Sequence, residues 1–221
     1  MRIDQQIGLE PTVSEYVEKL VTVFREVRRV LRDDGTLWLN LGDTYASAWA
    51  VSRRNVVGNG SLENGKRDNR PNRLVDGLKE KDLIGVPWSV AFALRSDGWW
   101  LRSDIIWNKP NTMPDGATDR PTKAHEYLFL LTKQAHYYCD MEAVREPVAG
   151  YDRKGGTATY TAGGFHSNGV GSKTFHQMSA VGRNKRSVWT VPTKPYPEAH
   201  FATYPVELVR PCIMAGCPVG G

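Results

Sequence analysis

Three cysteines in 221 residues, Cys139, Cys212 and Cys217, are too few and too irregularly spaced for a disulfide framework. No Cys-x-x-Cys pair occurs, which removes the usual zinc-binding patterns, and the three read as reduced thiols of an intracellular protein. No stretch approaches the roughly 18 to 20 apolar residues that a membrane span requires. The opening Met1-Arg2-Ile3-Asp4-Gln5-Gln6 has no apolar core of a secretory signal. The expectation is a soluble, cytoplasmic chain with no membrane partner. Excess charge of one sign is also small: 29 Lys and Arg against 24 Asp and Glu, a formal +5. That favours a polyanionic partner without requiring one, so the placement of the cations says more than their sum. No two prolines are adjacent anywhere in the chain. What is present, 40% hydrophobic and 24% charged residues, can bury the core of one domain, or of one domain with a large insertion.

Order begins at Thr12-Val13-Ser14-Glu15, a capping box in which the Thr12 hydroxyl and Glu15 carboxylate satisfy free amides. Tyr16, Leu20, Val23 or Phe24, Val27, Val30 and Leu31 then recur at helical spacing, and Asp33-Asp34-Gly35 is a stop, with Gly35 suited to the left-handed position. Thr36 to Leu41 is short, apolar and strand-like, ending at Gly42-Asp43. A helix feeding a buried strand through a tight turn suggests an α/β fold. From about 44 to 81 the pattern dissolves into a basic insertion, with Arg53, Arg54, Lys66, Arg67, Arg70, Arg73, Lys79 and Lys81 among Gly, Asn and Ser. Pro87 opens a second helix that stops at Asp97-Gly98. Trp99 to Trp107 and Glu126 to Leu131 read as strands, with the Trp99-Trp100 pair packed in the core and His136 to Cys139 forming a hairpin with the second of them. A basic stretch rich in Gly, Ser, Thr and Asn follows to Lys185, with Phe165, His166, Phe175 and His176 inside it. Ser187 to Val191 is strand-like, and Tyr204 to Met214 is a short helix.

Two motifs mislead. Gly169-Val170-Gly171-Ser172-Lys173-Thr174 fails the spacing of a phosphate loop and follows no apolar strand, so it reads as recognition loop or linker. His125-Glu126 opens a strand with no second His at metal spacing, which makes it structural. Asp43 and Lys109, each directly after a strand, stand where ligands bind in α/β sheets; turn chemistry and a solvated charge are their plainer explanations.

Four segments taken together resemble the amino-group DNA methyltransferases, which form N6-methyladenine or N4-methylcytosine. They are Leu31 to Tyr45 (the helix end and the strand ending Leu39-Asn40-Leu41-Gly42-Asp43), Ile105-Ile106-Trp107-Asn108-Lys109-Pro110-Asn111, Pro121 to Lys133 around His125-Glu126, and His200 to Val209. Each is unspecific alone. Their order spans nearly the whole chain and matches the permuted group in which the catalytic half comes first, target recognition next and the cofactor half last.

The resemblance implies a Rossmann-like α/β fold that uses S-adenosyl-L-methionine to methylate double-stranded DNA. It divides the chain into a catalytic-side part, 1–149, carrying the basic insertion at 44–81; a target-recognition region, 150–186; and a cofactor-side part, 187–221, with the strands around Leu37, Ile105 and Phe129 forming an incomplete sheet. It implies cofactor contacts at His200, Thr203 and Asp43, with helix capping as the alternative for Thr203. DNA contacts are implied at Lys109, Arg153, Lys154, Lys173, Arg183, Lys185 and Arg186. The family's chemistry also needs an Asp-, Asn- or Ser-Pro-Pro-aromatic tetrapeptide and a Phe-x-Gly-x-Gly strand. Neither is in the chain; Thr193-Lys194-Pro195-Tyr196 only imitates the first. The expectation is therefore truncation at both ends and doubtful activity of this chain alone, with a non-enzymatic DNA-binding remnant as the rival reading.

Overall fold

A computed structural model describes residues 7–46, 77–147, 182–194 and 203–220. Helix α1 spans Val13–Val30, with Thr12 as its N-cap accepting the Glu15 amide at 3.0 Å. Its apolar stripe turns Tyr16, Val17, Leu20, Val21, Phe24, Val27 and Leu31 inward. Val23 and Val30 point outward, since a 3.6-residue repeat cannot place every apolar position of the run on one face. The stop differs from the expected one. Leu31 closes the helix in an extended conformation, and Gly35 is not left-handed. Glycine is needed there for closeness, because a Cβ would lie 2.7 Å from Leu31 Cγ.

Strand β1 (Thr36–Leu41) follows, then helix α2 (Val86–Ser96), strands β2 (Trp100–Asn108), β3 (His125–Thr132) and β4 (Val188–Thr190), and helix α3 (Val206–Gly216). The sheet order is β1-β3-β2-β4: β3 runs antiparallel to both neighbours, and β4 runs parallel to β2. Strands β1, β2 and β4 therefore point their carboxyl ends to the same side, where β3 begins. The expected hairpin after β3 does not form. Both edges of β3 are taken by β1 and β2, so the chain leaves the sheet and Tyr138 donates instead to the Asp34 carbonyl at 2.9 Å.

Alternation along the strands builds a core on each face. Leu37, Leu39 and Leu41 of β1, with Tyr127, Phe129 and Leu131 of β3, pack against α1 and α2. Trp38, Leu128, Ile105, Trp107 and Trp189 face Leu208 and Cys212 of α3. Leu101 belongs to the first face and Ile105 to the second, although both are odd-numbered in one strand. A bulge resolves this: Leu101 pairs with Leu131 and Ser103 with Leu130, so Arg102 is an extra residue that switches the parity of the strand. The tryptophan pair at its start divides, with Trp99 2% exposed and Trp100 50%. No helix among the described residues is long and apolar enough to cross a membrane.

Candidate functional site

Polar and charged side chains gather at the carboxyl ends of β1, β2 and β4. The chain leaves β1 through Gly42-Asp43, and the Asp43 carboxylate turns back into the protein. Its Oδ1 accepts the amides of Thr44 (2.9 Å), Gly85 (3.0 Å) and Val86 (3.1 Å), and its Oδ2 lies 3.5 Å from Lys123 Nζ. Gly85 is the N-cap of α2 and is left-handed with φ 77°, so it has no side chain to cap the helix; Asp43 serves from a distance. The carboxylate neutralises free amides where the helix dipole is positive. Its side chain is 2% exposed, and these contacts fix the turn that follows β1.

Lys109, immediately after β2, pairs with Glu126 on β3 and lies 4.2 Å from the centre of the Trp107 ring. Its backbone amide donates to the Ala124 carbonyl at 2.8 Å, which ties the start of the β2–β3 loop to the loop's end. Partial burial, then the negative charge of Glu126, push the Tyr204 phenol above its ordinary value. Tyr204 precedes α3, whose N-cap is Pro205 without a side-chain hydrogen bond, so Thr203 does not cap that helix. Thr203 is exposed. Together, Gly42, Asp43, Lys109, Lys123, Glu126 and Tyr204 form a rim of two acid–base pairs and a phenol at one end of the sheet. Sequence reasoning missed Lys123 and Tyr204 and set Glu126 aside. Glu126's strand-opening position hid it, because its partner lies across the sheet.

The bases of the two basic excursions are described, although 47–76 and 148–181 lie outside the described residues. At the first base Tyr45 pairs with Leu83, flanked by Ala46 N to Asp82 O at 2.8 Å and Ile84 N to Thr44 O at 3.0 Å. At the second, Glu146 and Arg183 exchange two backbone hydrogen bonds of 2.9 Å. Three of the cations expected to contact DNA converge here on one carboxylate. Arg186 lies 2.9 Å, Arg183 3.4 Å and Lys185 3.8 Å from Glu146. Burial would raise the Glu146 carboxyl, but hydrogen bonds from the Arg186 side chain and amide and the nearby positive charges outweigh it and hold it below the ordinary range. Arg153, Lys154, Lys173 and His200 lie outside the described residues, as do the phosphate-loop-like motif and the aromatics between 165 and 176. Among the described residues no cluster of three His, Cys, Asp or Glu side chains could hold a metal.

A sequence model of the N6/N4 methyltransferases, described as DNA methylase, matches residues 1–221. The chain is 48% identical over 218 residues to the Type II methyltransferase M.Cfr9I of Citrobacter freundii, covering 99% of this chain and 62% of the relative. With M.SmaI of Serratia marcescens it is 44% identical over 218 residues, covering 98% and 63%. It thus spans less than two thirds of the length of these curated relatives. The solved structure of the PvuII DNA methyltransferase (cytosine-N4-specific) superposes with a TM-score of 0.57 at 13% identity, covering 99% of this chain and 60% of that one. That last likeness concerns the fold alone. The whole-length family match decides the matter: the chain belongs to the N6/N4 DNA methylase family and carries an α/β methyltransferase fold.

Proposed function

We propose that the complete protein is a cytoplasmic, site-specific DNA methyltransferase that transfers a methyl group from S-adenosyl-L-methionine to N6 of adenine or N4 of cytosine in double-stranded DNA. The observation that carries this reading is the family match along all of 1–221, with Type II methyltransferases as relatives at 48% and 44% identity. The solved cytosine-N4-specific neighbour is consistent with an exocyclic amine as acceptor.

The donor set at the carboxyl end of the sheet suits the cofactor's charged end. An amino acid group needs an acidic and a basic partner side by side, and Glu126 beside Lys109 is such a pair. Thr203, next to Tyr204 ahead of α3, and His200, three residues earlier in sequence, are the candidates to hold it. Asp43 acts as a positioning residue that fixes the turn. When bound, the cofactor supplies an electrophilic methyl group on a sulfonium. The protein then needs no covalent nucleophile; the base amine attacks, and the site must orient it and exclude water. Arg153, Lys154, Lys173, Arg183, Lys185 and Arg186 supply phosphate contacts, while Lys109 is assigned to its pair with Glu126.

The test is to incubate the complete protein with methyl-labelled S-adenosyl-L-methionine and duplex DNA, and to identify the modified nucleoside by mass spectrometry. N6-methyladenine or N4-methylcytosine is expected. No incorporation, or methylation at a ring carbon, would sink the reading.

A further inference from the structure

Among the described residues at the carboxyl end of the sheet, one apolar side chain stands out for its exposure. Met113, between β2 and β3, is 84% exposed, more than Leu83 (49%) or Tyr204 (55%) at the same end. Single exposed hydrophobics are common and need no explanation by themselves. The bracing of this one is less ordinary. Two residues before it, Asn111 makes two hydrogen bonds to Thr193 just past β4, donating to its carbonyl at 2.9 Å and accepting its amide at 3.0 Å. Thr112 donates back to the Lys109 carbonyl at 2.7 Å. After it, Pro114 restricts the backbone, and Asp115 accepts the Ala117 amide at 3.1 Å and pairs with Arg120 at 2.6 Å. Arg120 lies 3.8 Å from the centre of the Tyr45 ring, at the base of the first excursion. Lys81 reaches Asp119 at 2.7 Å, and Lys123 reaches Asp43. The loop is thus fastened to the chain just past β4, to the turn after β1 and to Tyr45, and it presents a long unbranched side chain that is 84% exposed.

We propose that Met113 is a wedge: it enters the DNA stack when the target nucleotide is turned out toward the carboxyl end of the sheet. A base amine inside a duplex cannot reach a methyl donor in a protein site, so the nucleotide must be extruded, and the stack is left with a gap. Proteins fill or open such gaps with apolar side chains such as Met, Leu or Phe. A thioether chain suits the task because it is apolar, slender and able to adjust to either neighbouring base. The proposal rests on the DNA methyltransferase reading and deepens it, assigning a residue to the opening of the duplex and none to the chemistry.

The experiment uses the complete enzyme and two duplexes that carry its methylation site, mapped first on methylated plasmid DNA. In one the target base is normally paired; in the other its partner strand is abasic opposite the target, so little energy is needed to turn it out. For Met113→Ala the methylation rate on the paired duplex should fall at least about tenfold, and on the abasic duplex less than about threefold. Met113→Leu should stay close to wild type on both. Fluorescence of 2-aminopurine at the target position should rise less on binding the Ala variant than on binding wild type. Equal losses on the two duplexes, or no loss on either, would overturn the wedge. Failure of the wild-type enzyme to methylate either duplex would overturn the methyltransferase reading instead, and the wedge with it.

Discussion

At the scale of single residues, Asp43 shows how much one carboxylate can organise. It caps a helix that begins 43 positions away in sequence, because the residue at that helix's own cap is a left-handed glycine with no side chain. Asp43→Ala leaves three amides without their acceptor and Lys123 without its partner, which should destabilise the fold by about 2–4 kcal/mol in urea unfolding of the complete protein. Asp43→Asn keeps an oxygen acceptor and should recover more than half of that loss; an alanine variant as stable as wild type would contradict the capping role. Glu146 supports a pH prediction. Its carboxyl is held below the ordinary range, so the folded state binds its proton more weakly than the unfolded chain does. Its contribution to stability is complete above the unfolded value of about 4.3 and is lost as pH falls through the depressed folded value. The stability difference between wild type and Glu146→Gln should therefore be constant from about pH 7 to 5 and shrink below about pH 4. A difference that grows on acidification would show that the cations around it do not stabilise its charged form.

At the scale of elements, the contact between α3 and the sheet depends on one missing side chain. A Cβ on Gly216 would overlap Thr36 Oγ1 and lie 2.7 Å from Trp38 Nε1. The Thr36 hydroxyl also donates to the Gly216 carbonyl at 3.4 Å and accepts the Trp38 indole at 3.2 Å, so neither atom is free to withdraw. Gly216→Ala should push the end of α3 away from β1 and cost about 1–3 kcal/mol, although alanine is the better helix former by about 1 kcal/mol. Thermal unfolding with tryptophan fluorescence from Trp38 is the measurement; a stabilised variant would mean that the helix shifts without penalty. Strand β2 makes the same point about local fit. Without the extra residue at Arg102, either Leu101 or the pair Ile105 and Trp107 would face the wrong core, because a one-residue slip exchanges the two faces of a strand. Arg102 itself is held by Tyr137, which accepts from its Nε at 3.2 Å.

For the whole molecule, charge is organised in two ways. The cations described at the end of the sheet, Lys81, Lys109, Arg120 and Lys123, each have an acidic partner. The segments 53–81 and 153–186 are richer in Lys and Arg than in Asp and Glu. Binding of the complete protein to duplex DNA should accordingly weaken at least about tenfold between roughly 50 and 200 mM salt, as neutralised phosphates regain their counterions. Substituting Ala for Arg153, Lys154 and Lys173 together should flatten the slope of log affinity against log salt. An affinity that ignores salt would contradict the placement of cations as DNA contacts.

Much of the architecture was legible along the chain, because the forces that set it are local. Helical spacing from Tyr16 to Leu31, the Thr12 cap, the apolar run Thr36 to Leu41 and the Pro87 start each appear where their periodicity and end signals put them. Four ordered motifs, around Asp43, Asn108, His125 and Tyr204, also sufficed for the family, since a motif's order is itself a property of sequence. Other features depended on partners distant in sequence. The segment His136 to Cys139 had every mark of a strand, yet only the packing of β1 and β2 on both edges of β3 denied it a place. Trp99 and Trp100 are indistinguishable as neighbours; the direction in which the strand enters the sheet buries one and exposes the other. Glu126 showed only as the second half of a strand-opening His-Glu pair and Glu146 not at all, because a carboxylate's role is set by which cations reach it, and Lys109 and Arg186 arrive from 17 and 40 residues away. Local sequence thus determined the elements and their order, whereas the pairing of edges, the burial of each face and the partnering of charges were decided only when those elements met in space.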